Sequence, residues 1–230
     1  MSNTFVEKVR GGIIVSCQAK PGDPTYGSEM MSAFALSAKI GGAVGIRASS
    51  DIDVAAIKQA TGLPIIGIWK RPPLDEHIHI ITPTVEDARL LKEAGADVVA
   101  LDVTDRPRPG GLDAVTLIKR IKEEVGIPLM ADCATLQDAI RAQEAGVEIA
   151  STTLSFPPEL GPYQPNLKLL DEMIRTLRIP VIAEGHYWNT QDVQKAFELG
   201  VTAVVIGSAI TRPWLITERY VRCIPCIKDS

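Results

Sequence analysis

Two short phrases alternate along the chain, and their repetition constrains the fold more than any other feature. "EAGADVVALD" (93–102), "EAGVEIASTT" (144–153) and "ELGVTAVVIG" (198–207) each read as a helix end, a glycine and a buried β-branched strand. Glycine suits the left-handed conformation in which a chain commonly leaves a helix. Between these phrases lie "GLPIIGIWK" (62–70), "GIPLMADCA" (126–134) and "RIPVIAEGH" (178–186), where a proline opens the strand at a place that loses no ladder hydrogen bond. Adding "GIIVSCQA" (12–19) and "GGAVGIRA" (41–48) gives eight strand candidates, centred near residues 14, 46, 67, 100, 131, 151, 183 and 206.

The strands are almost continuously apolar, as parallel strands covered on both faces are. Helical segments separate them. Residues 84–94 open on Thr84 with Asp87 three later, 135–145 repeat this with Thr135 and Asp138, and 190–199 start at Asn189 or Thr190, each a helix-start signature. Eight β-then-α units in 230 residues predict an α/β fold, a (β/α)8 TIM barrel. It is expected as a single domain over 1–230, with a short N-terminal lead-in and a C-terminal tail. An open doubly wound sheet would announce a glycine-rich fingerprint after its first strand, and "SCQAKPGDP" is not GxGxxG. The longest irregular stretches, 20–28, 71–82 and 155–166, are the candidate active-site loops.

Composition narrows the partners. A net charge of -4 with 24 scattered Lys and Arg argues against the concentrated basic face of a nucleic-acid binder, so a small molecule is expected. The opening "MSNTFVEKVRGG" lacks the apolar core of a secretory signal, and no run approaches the roughly 20 apolar residues of a membrane span; no membrane partner and a cytoplasmic location are expected. Cys17 and Cys133 lie inside apolar runs and read as small buried hydrophobes. Cys223 and Cys226 have CxxC spacing but stand alone beside Pro225, without the second pair that a four-ligand zinc site needs. Neither a metal nor a cofactor is expected.

In a barrel the chemistry collects at the C-terminal ends of the strands. The polar residues closing the apolar runs are Gln18, Arg47, Lys70, Asp102, Asp132, Thr152 with Thr153, Glu184, and Gly207 with Ser208. Lys70 reads either as a solvated strand-end lysine or as a base: burial and Arg47 would both lower its pKa from about 10.4 towards neutrality. Glu184 reads as its catalytic partner or merely its ion-pair partner. Arg47, Asp132 and Gln18 read as substrate contacts or as structural groups of the mouth, Thr152 and Thr153 as substrate contacts, and Asp102 as a structural or orienting group. His186 is expected to be a loop surface group, and His77 and His79, alternating with isoleucine, the exposed face of their segment.

"VVIGSAITRP" (204–213) adds an independent clue. Backbone N–H groups at Gly207 and Ser208, followed by a helix start, make an anion site of the kind barrels place after their last two strands. Arg212 adds a charge, although Arg212–Pro213 also reads as a plain helix entry with proline at its first position. Gly185 allows close backbone approach next door. A phosphate anchor with a lysine and a glutamate suits proton abstraction beside a carbonyl in a sugar phosphate. It equally suits Schiff-base aldol chemistry through Lys70.

The strings "GIIVSCQA", "GGAVGIRA", "PIIGIWKR", "ITPTVEDARLL", "GADVVALDVTDRPRP", "MADCAT", "VIAEGHY" and "IGSAITRPWLIT" together resemble the N-acylglucosamine-6-phosphate 2-epimerase family. The match runs in order and register from about residue 11 to about residue 222. The family interconverts N-acetylmannosamine 6-phosphate and N-acetylglucosamine 6-phosphate in sialic acid breakdown. The resemblance implies a (β/α)8 barrel, a homodimer, no metal or redox cofactor, and a catalytic lysine and glutamate that fall on Lys70 and Glu184. Its substrate-contacting glutamine, arginine and aspartate fall on Gln18, Arg47 and Asp132, and its C-terminal arginine on Arg212. Two stretches depart from the family: "TTLSFPPELGPYQ", where a glycine–tyrosine–threonine turn is usual, and the tail "RCIPCIKDS". An aldolase or other sugar-phosphate isomerase on the same barrel, and a sugar-phosphate sensor without turnover, are the competing expectations.

Overall fold

The β-branched runs and the caps between them set the architecture. The computed structural model describes residues 4–71 and 80–224, with Arg71 described by its backbone alone. His77, His79, Pro225, Cys226 and most of the 71–82 stretch lie outside the described residues. A short helix α1 (Phe5–Val9) is followed by β1 (Ile13–Cys17), α2 (Ser28–Ile40), β2 (Gly45–Ser49), α3 (Asp51–Thr61) and β3 (Ile65–Ile68). Two-residue strands β4 (Lys70–Arg71) and β5 (Ile80–Ile81) come next, then α4 (Val85–Glu93), β6 (Val98–Asp102), α5 (Ala114–Glu124), β7 (Leu129–Asp132), α6 (Leu136–Ala145) and β8 (Ile149–Ser151). The chain continues through α7 (Leu167–Thr176), β9 (Val181–Glu184), α8 (Thr190–Glu198), β10 (Ala203–Ile206), α9 (Ser208–Thr211) and α10 (Pro213–Val221).

Eight of these strands close into a barrel in the order β1-β10-β9-β8-β7-β6-β3-β2, and its ladders are parallel. All eight expected strands are present. Those centred on 151 and 206 start earlier than expected, so these residues end β8 and β10. Capping boxes form at Thr84/Asp87 and Thr135/Asp138, and Asn189 caps α8. The antiparallel β4/β5 pair and α1 were not anticipated, although "TFVE" carries the capping-box signature that Thr4 and Glu7 complete.

Side chains alternate across each strand, which splits the core in two. One layer, with Val15, Cys17, Leu101, Ala131 and Cys133, faces the helices. At Gly67 an added Cβ would stand 2.9 Å from the Ala96 Cβ, so glycine lets α4 and its following turn approach the sheet. The other layer fills the barrel with Ile14, Ile66, Ile68, Val98, Ala100, Met130, Ile149, Ile182, Ala203 and Val205; Val9, Phe5 and Val6 of α1 pack against it. One inward step beyond this apolar filling, the same alternation delivers Ser16, Arg47, Lys70, Asp132, Ser151, Glu184 and Gly207 to the C-terminal mouth.

Candidate active site

Arg47 is the hub of the mouth. Its guanidinium is 1% exposed and Asp132 0%. Nη1 and Nη2 donate to the two Asp132 carboxylate oxygens at 3.0 and 2.6 Å, and Nη1 also donates to Glu184 Oε2 at 2.8 Å. This planar fork is a geometry that lysine cannot reproduce. The Thr153 hydroxyl lies 2.8 Å from Asp132 Oδ1, 3.2 Å from Glu184 Oε2 and 2.8 Å from the Ser151 hydroxyl. Burial opposes the Arg47 charge, but Asp132 and Glu184 outweigh it and hold the guanidinium above its ordinary value. For Glu184 burial pushes the carboxyl up, while Arg47 pulls it down.

Lys70 stands where β3 ends. It pairs with Ile81 across the antiparallel β4/β5 ladder, and Thr82 fastens the end of that ladder. The Thr82 N–H donates to the Trp69 carbonyl at 2.8 Å, its hydroxyl accepts from the Trp69 N–H at 3.1 Å, and that hydroxyl donates to the Ala100 carbonyl at 2.6 Å. Thr82 is fully buried with φ of 48°, a left-handed conformation that is an outlier for a β-branched residue. Burial first and Arg47 second pull the Lys70 amine down to about 8, with Arg212 adding to the effect and Glu184 and Asp132 opposing it. Lys70 is solvent-exposed, with its side chain lining the pocket. Water therefore moderates the desolvation, and the neighbouring cations reinforce the downward direction.

The remaining groups are fixed locally. Thr152 bridges to β9: its hydroxyl donates to the Glu184 carbonyl at 2.8 Å and accepts from the Glu184 N–H at 3.1 Å. The Gln18 Nε2 donates to the Ser16 hydroxyl at 2.6 Å, and its buried Oε1 has no partner among the described residues. Gly207 leaves room for Ser16, whose Cβ would be 3.3 Å from an added Cβ. The Thr211 hydroxyl donates to the Ser16 carbonyl at 2.9 Å. The first turn of α9 leaves the Ser208 and Ala209 N–H groups outside the helix's own hydrogen bonds.

These elements enclose a cavity of about 360 Å³, within the usual range for a small-ligand site. Gln18, Lys70, Thr153, Glu184, Gly185, Gly207, Ser208 and Arg212 all line it. Three expected substrate contacts lie elsewhere. Arg47 and Asp132 are buried beneath the lining and meet it through Glu184 and Thr153, while Thr152 is buried with its hydroxyl committed to the Glu184 backbone. His186 is not a surface loop group, because it lines the cavity and stacks on Phe156 at 4.8 Å. Asp102 is structural: fully buried, it accepts from Thr104 and pairs with Arg106 at 3.2 Å. Arg212 also caps α10 with Pro213 at the first position, so helix entry and cavity lining coexist.

Ser16, Thr82, Thr211 and Phe156 escaped the sequence reading. Ser16 was findable, since it lies two residues before Gln18 on the same strand face. Phe156 and Thr82 sit in irregular stretches, where no periodicity points to a face.

A closed barrel with a lysine and a buried arginine–carboxylate cluster at one polar mouth defines the class, a (β/α)8-barrel protein with a small-ligand cavity at the C-terminal ends of its strands. Residues 31–225 match the family model NanE, described as "Putative N-acetylmannosamine-6-phosphate epimerase". A Clostridioides difficile (strain 630) protein is 47% identical over 222 residues, covering 96% of this chain and 99% of that one. One from Caldanaerobacter subterraneus subsp. tengcongensis is 42% identical over 227 residues, covering 97% and 95%. Both bear the name "Putative N-acetylmannosamine-6-phosphate 2-epimerase". The solved structure of the N-acetylmannosamine-6-phosphate 2-epimerase from Clostridium perfringens superposes with a TM-score of 0.90 at 38% identity, covering 97% of this chain and 98% of that one. Thiamine phosphate pyrophosphorylase from Pyrococcus furiosus, at 19% identity and a TM-score of 0.61, shares the fold alone. The chain belongs to the NanE family.

Proposed function

We propose that this protein is an isomerase that interconverts N-acetylmannosamine 6-phosphate and N-acetylglucosamine 6-phosphate at C2 by deprotonation and reprotonation. The observation that carries the reading is Lys70. Its amine is drawn down to about 8 and lines the same cavity as Glu184, in a chain whose near full-length relatives carry the epimerase name.

The C2 hydrogen of the open-chain 2-acetamido aldehyde is acidified by the C1 carbonyl. Neutral Lys70 takes this proton, leaving a planar enolate, and return of a proton to the opposite face inverts C2. Glu184 serves that face or assists the ring opening that must come first. A positioned base contributes about 10²–10⁴ in rate, and stabilising the oxyanion adds to it. Gly185, Gly207, Ser208 and Arg212 receive the phosphate. The unpartnered Gln18 Oε1 accepts from a substrate N–H or hydroxyl, and Thr153 faces the sugar. Arg47, Asp132 and Thr152 act as positioning residues that hold Glu184.

The same proposal takes the chain as one domain over 1–230 and as a cytoplasmic homodimer. None of the nine residues of α10 is buried, and Tyr220 and Val221 on it are exposed, which supports α10 as the contact between copies. The described helices include none long and apolar enough to cross a membrane.

Incubating the protein with N-acetylmannosamine 6-phosphate and following both anomeric proton sets by NMR tests the assignment. Growth of the N-acetylglucosamine 6-phosphate signals is expected. An unchanged sugar would refute it. A product trapped on Lys70 by borohydride would mark a Schiff-base enzyme instead.

A further inference from the structure

The cavity has a polar floor and an aromatic side. Phe156 stacks on His186 with ring centroids 4.8 Å apart and an interplanar angle of 29°, and both line the cavity. Phe156 is 51% exposed, whereas Ile81, Tyr187 and Val205 of the lining are buried. It therefore presents open apolar surface at the mouth.

The backbone and a second cluster hold this wall in place. Gly185 and His186 have φ of 107° and 59°, consecutive residues in the left-handed half that turn the chain sharply after Glu184. At Gly185 an added Cβ would stand 3.7 Å from Phe156 Cε1, so the ring borders the residue next to the carboxylate. Behind it, Tyr163 meets Trp188 edge-on at 5.0 Å. The Arg219 guanidinium lies 5.1 Å from the Tyr163 ring and 5.7 Å from the Trp188 ring, and donates to the Trp188 carbonyl at 3.3 Å. The loop bearing Phe156, the loop bearing His186 and α10 are thus clamped together.

An N-acylamino sugar phosphate is polar throughout except for the alkyl end of its acyl group. That group hangs from C2, the carbon that Lys70 and Glu184 serve under the proposed function, on which this inference rests. We infer that Phe156, braced by His186, is the specificity-determining residue for the N-acyl group. Because the ring opens to solvent, acyl chains longer than acetyl extend along it and are accepted as substrates.

The test compares wild type, Phe156→Ala and Phe156→Leu on N-acetyl-, N-propanoyl- and N-butanoylmannosamine 6-phosphate, with mannose 6-phosphate as a competing ligand that lacks the acyl group. In wild type each added methylene lowers KM by about two- to fourfold, up to the value for full burial of one CH₂. In Phe156→Ala the KM for the N-acetyl substrate rises about three- to tenfold, kcat stays within about twofold, and the dependence on chain length flattens. Phe156→Leu falls between, and inhibition by mannose 6-phosphate is unchanged in all three. Equal shifts for every acyl chain and for mannose 6-phosphate, or a chain-length dependence that survives in Phe156→Ala, would overturn the inference while leaving the epimerase reading intact. Wild type that fails to epimerise the N-acetyl substrate would remove both.

Discussion

Replacing Arg47 with methionine should expose how the mouth is held together. The substitution keeps an unbranched side chain but leaves Asp132 and Glu184 facing each other without the guanidinium that bonds both, at 2.6 and 2.8 Å. Both partners are buried or nearly so, with exposures of 0% and 14%, so solvent replaces little of what is lost. Removing one member of a buried ion cluster costs about 3–5 kcal/mol. At about 2–4 °C per kcal/mol for a chain of this size, that lowers Tm by roughly 6–20 °C. The penalty should also depend on pH. Burial already raises the Glu184 pKa and Arg47 is the main influence holding it down, so the variant's folded state keeps the Glu184 proton to higher pH than its unfolded state. Between those two values the folded state binds more protons, and stability falls as pH rises. Urea or thermal unfolding at pH 5.5 and pH 8 should therefore show the larger loss at pH 8. Adding Asp132→Asn and Glu184→Gln to the variant should recover part of it. A loss below about 1 kcal/mol, or one that does not change with pH, would refute the view that Arg47 compensates two buried carboxylates.

Two further outcomes follow from the same geometry. Proton abstraction requires neutral Lys70, so kcat/KM should rise with pH through about 8 and fall below it; a flat profile from pH 6.5 to 9 would separate Lys70 from the proton transfer. Thr152→Val keeps the shape of a buried residue but removes both hydroxyl bonds to the Glu184 backbone. It should cost about 1–3 kcal/mol in unfolding free energy and lower kcat more than it raises KM, read by urea unfolding and steady-state kinetics.

The barrel was legible because its signals are local. Proline-opened β-branched runs, threonine and asparagine caps and glycine exits each stand within a few residues of the element they define. The mouth was legible in part for the same reason, since the last inward residue of each strand follows from alternation. What those residues touch was not. Arg47 lies 85 residues from Asp132 and 137 from Glu184, and only closure of the barrel makes it a buried brace. Thr152 and Thr153 are adjacent, and alternation sends one hydroxyl to the next strand's backbone and the other to the carboxylates. Phe156 and Thr82 are placed by loop packing, which leaves no period in the sequence. The Lys70 site follows from the strand end, whereas its fastening by Thr82 comes from a residue 12 positions later that bonds to β6.

The central claim is that Lys70 moves the C2 proton, and solvent exchange tests it most directly. N-acetylmannosamine 6-phosphate in heavy water is followed by proton NMR with wild type, Lys70→Met and Glu184→Gln, with sugar-phosphate binding measured on each. The account predicts deuterium at C2 of the product with wild type. It predicts exchange reduced by about 10²-fold or more in Lys70→Met, with binding retained. Epimerisation that keeps the original C2 hydrogen, or exchange in Lys70→Met at the wild-type rate, would contradict it.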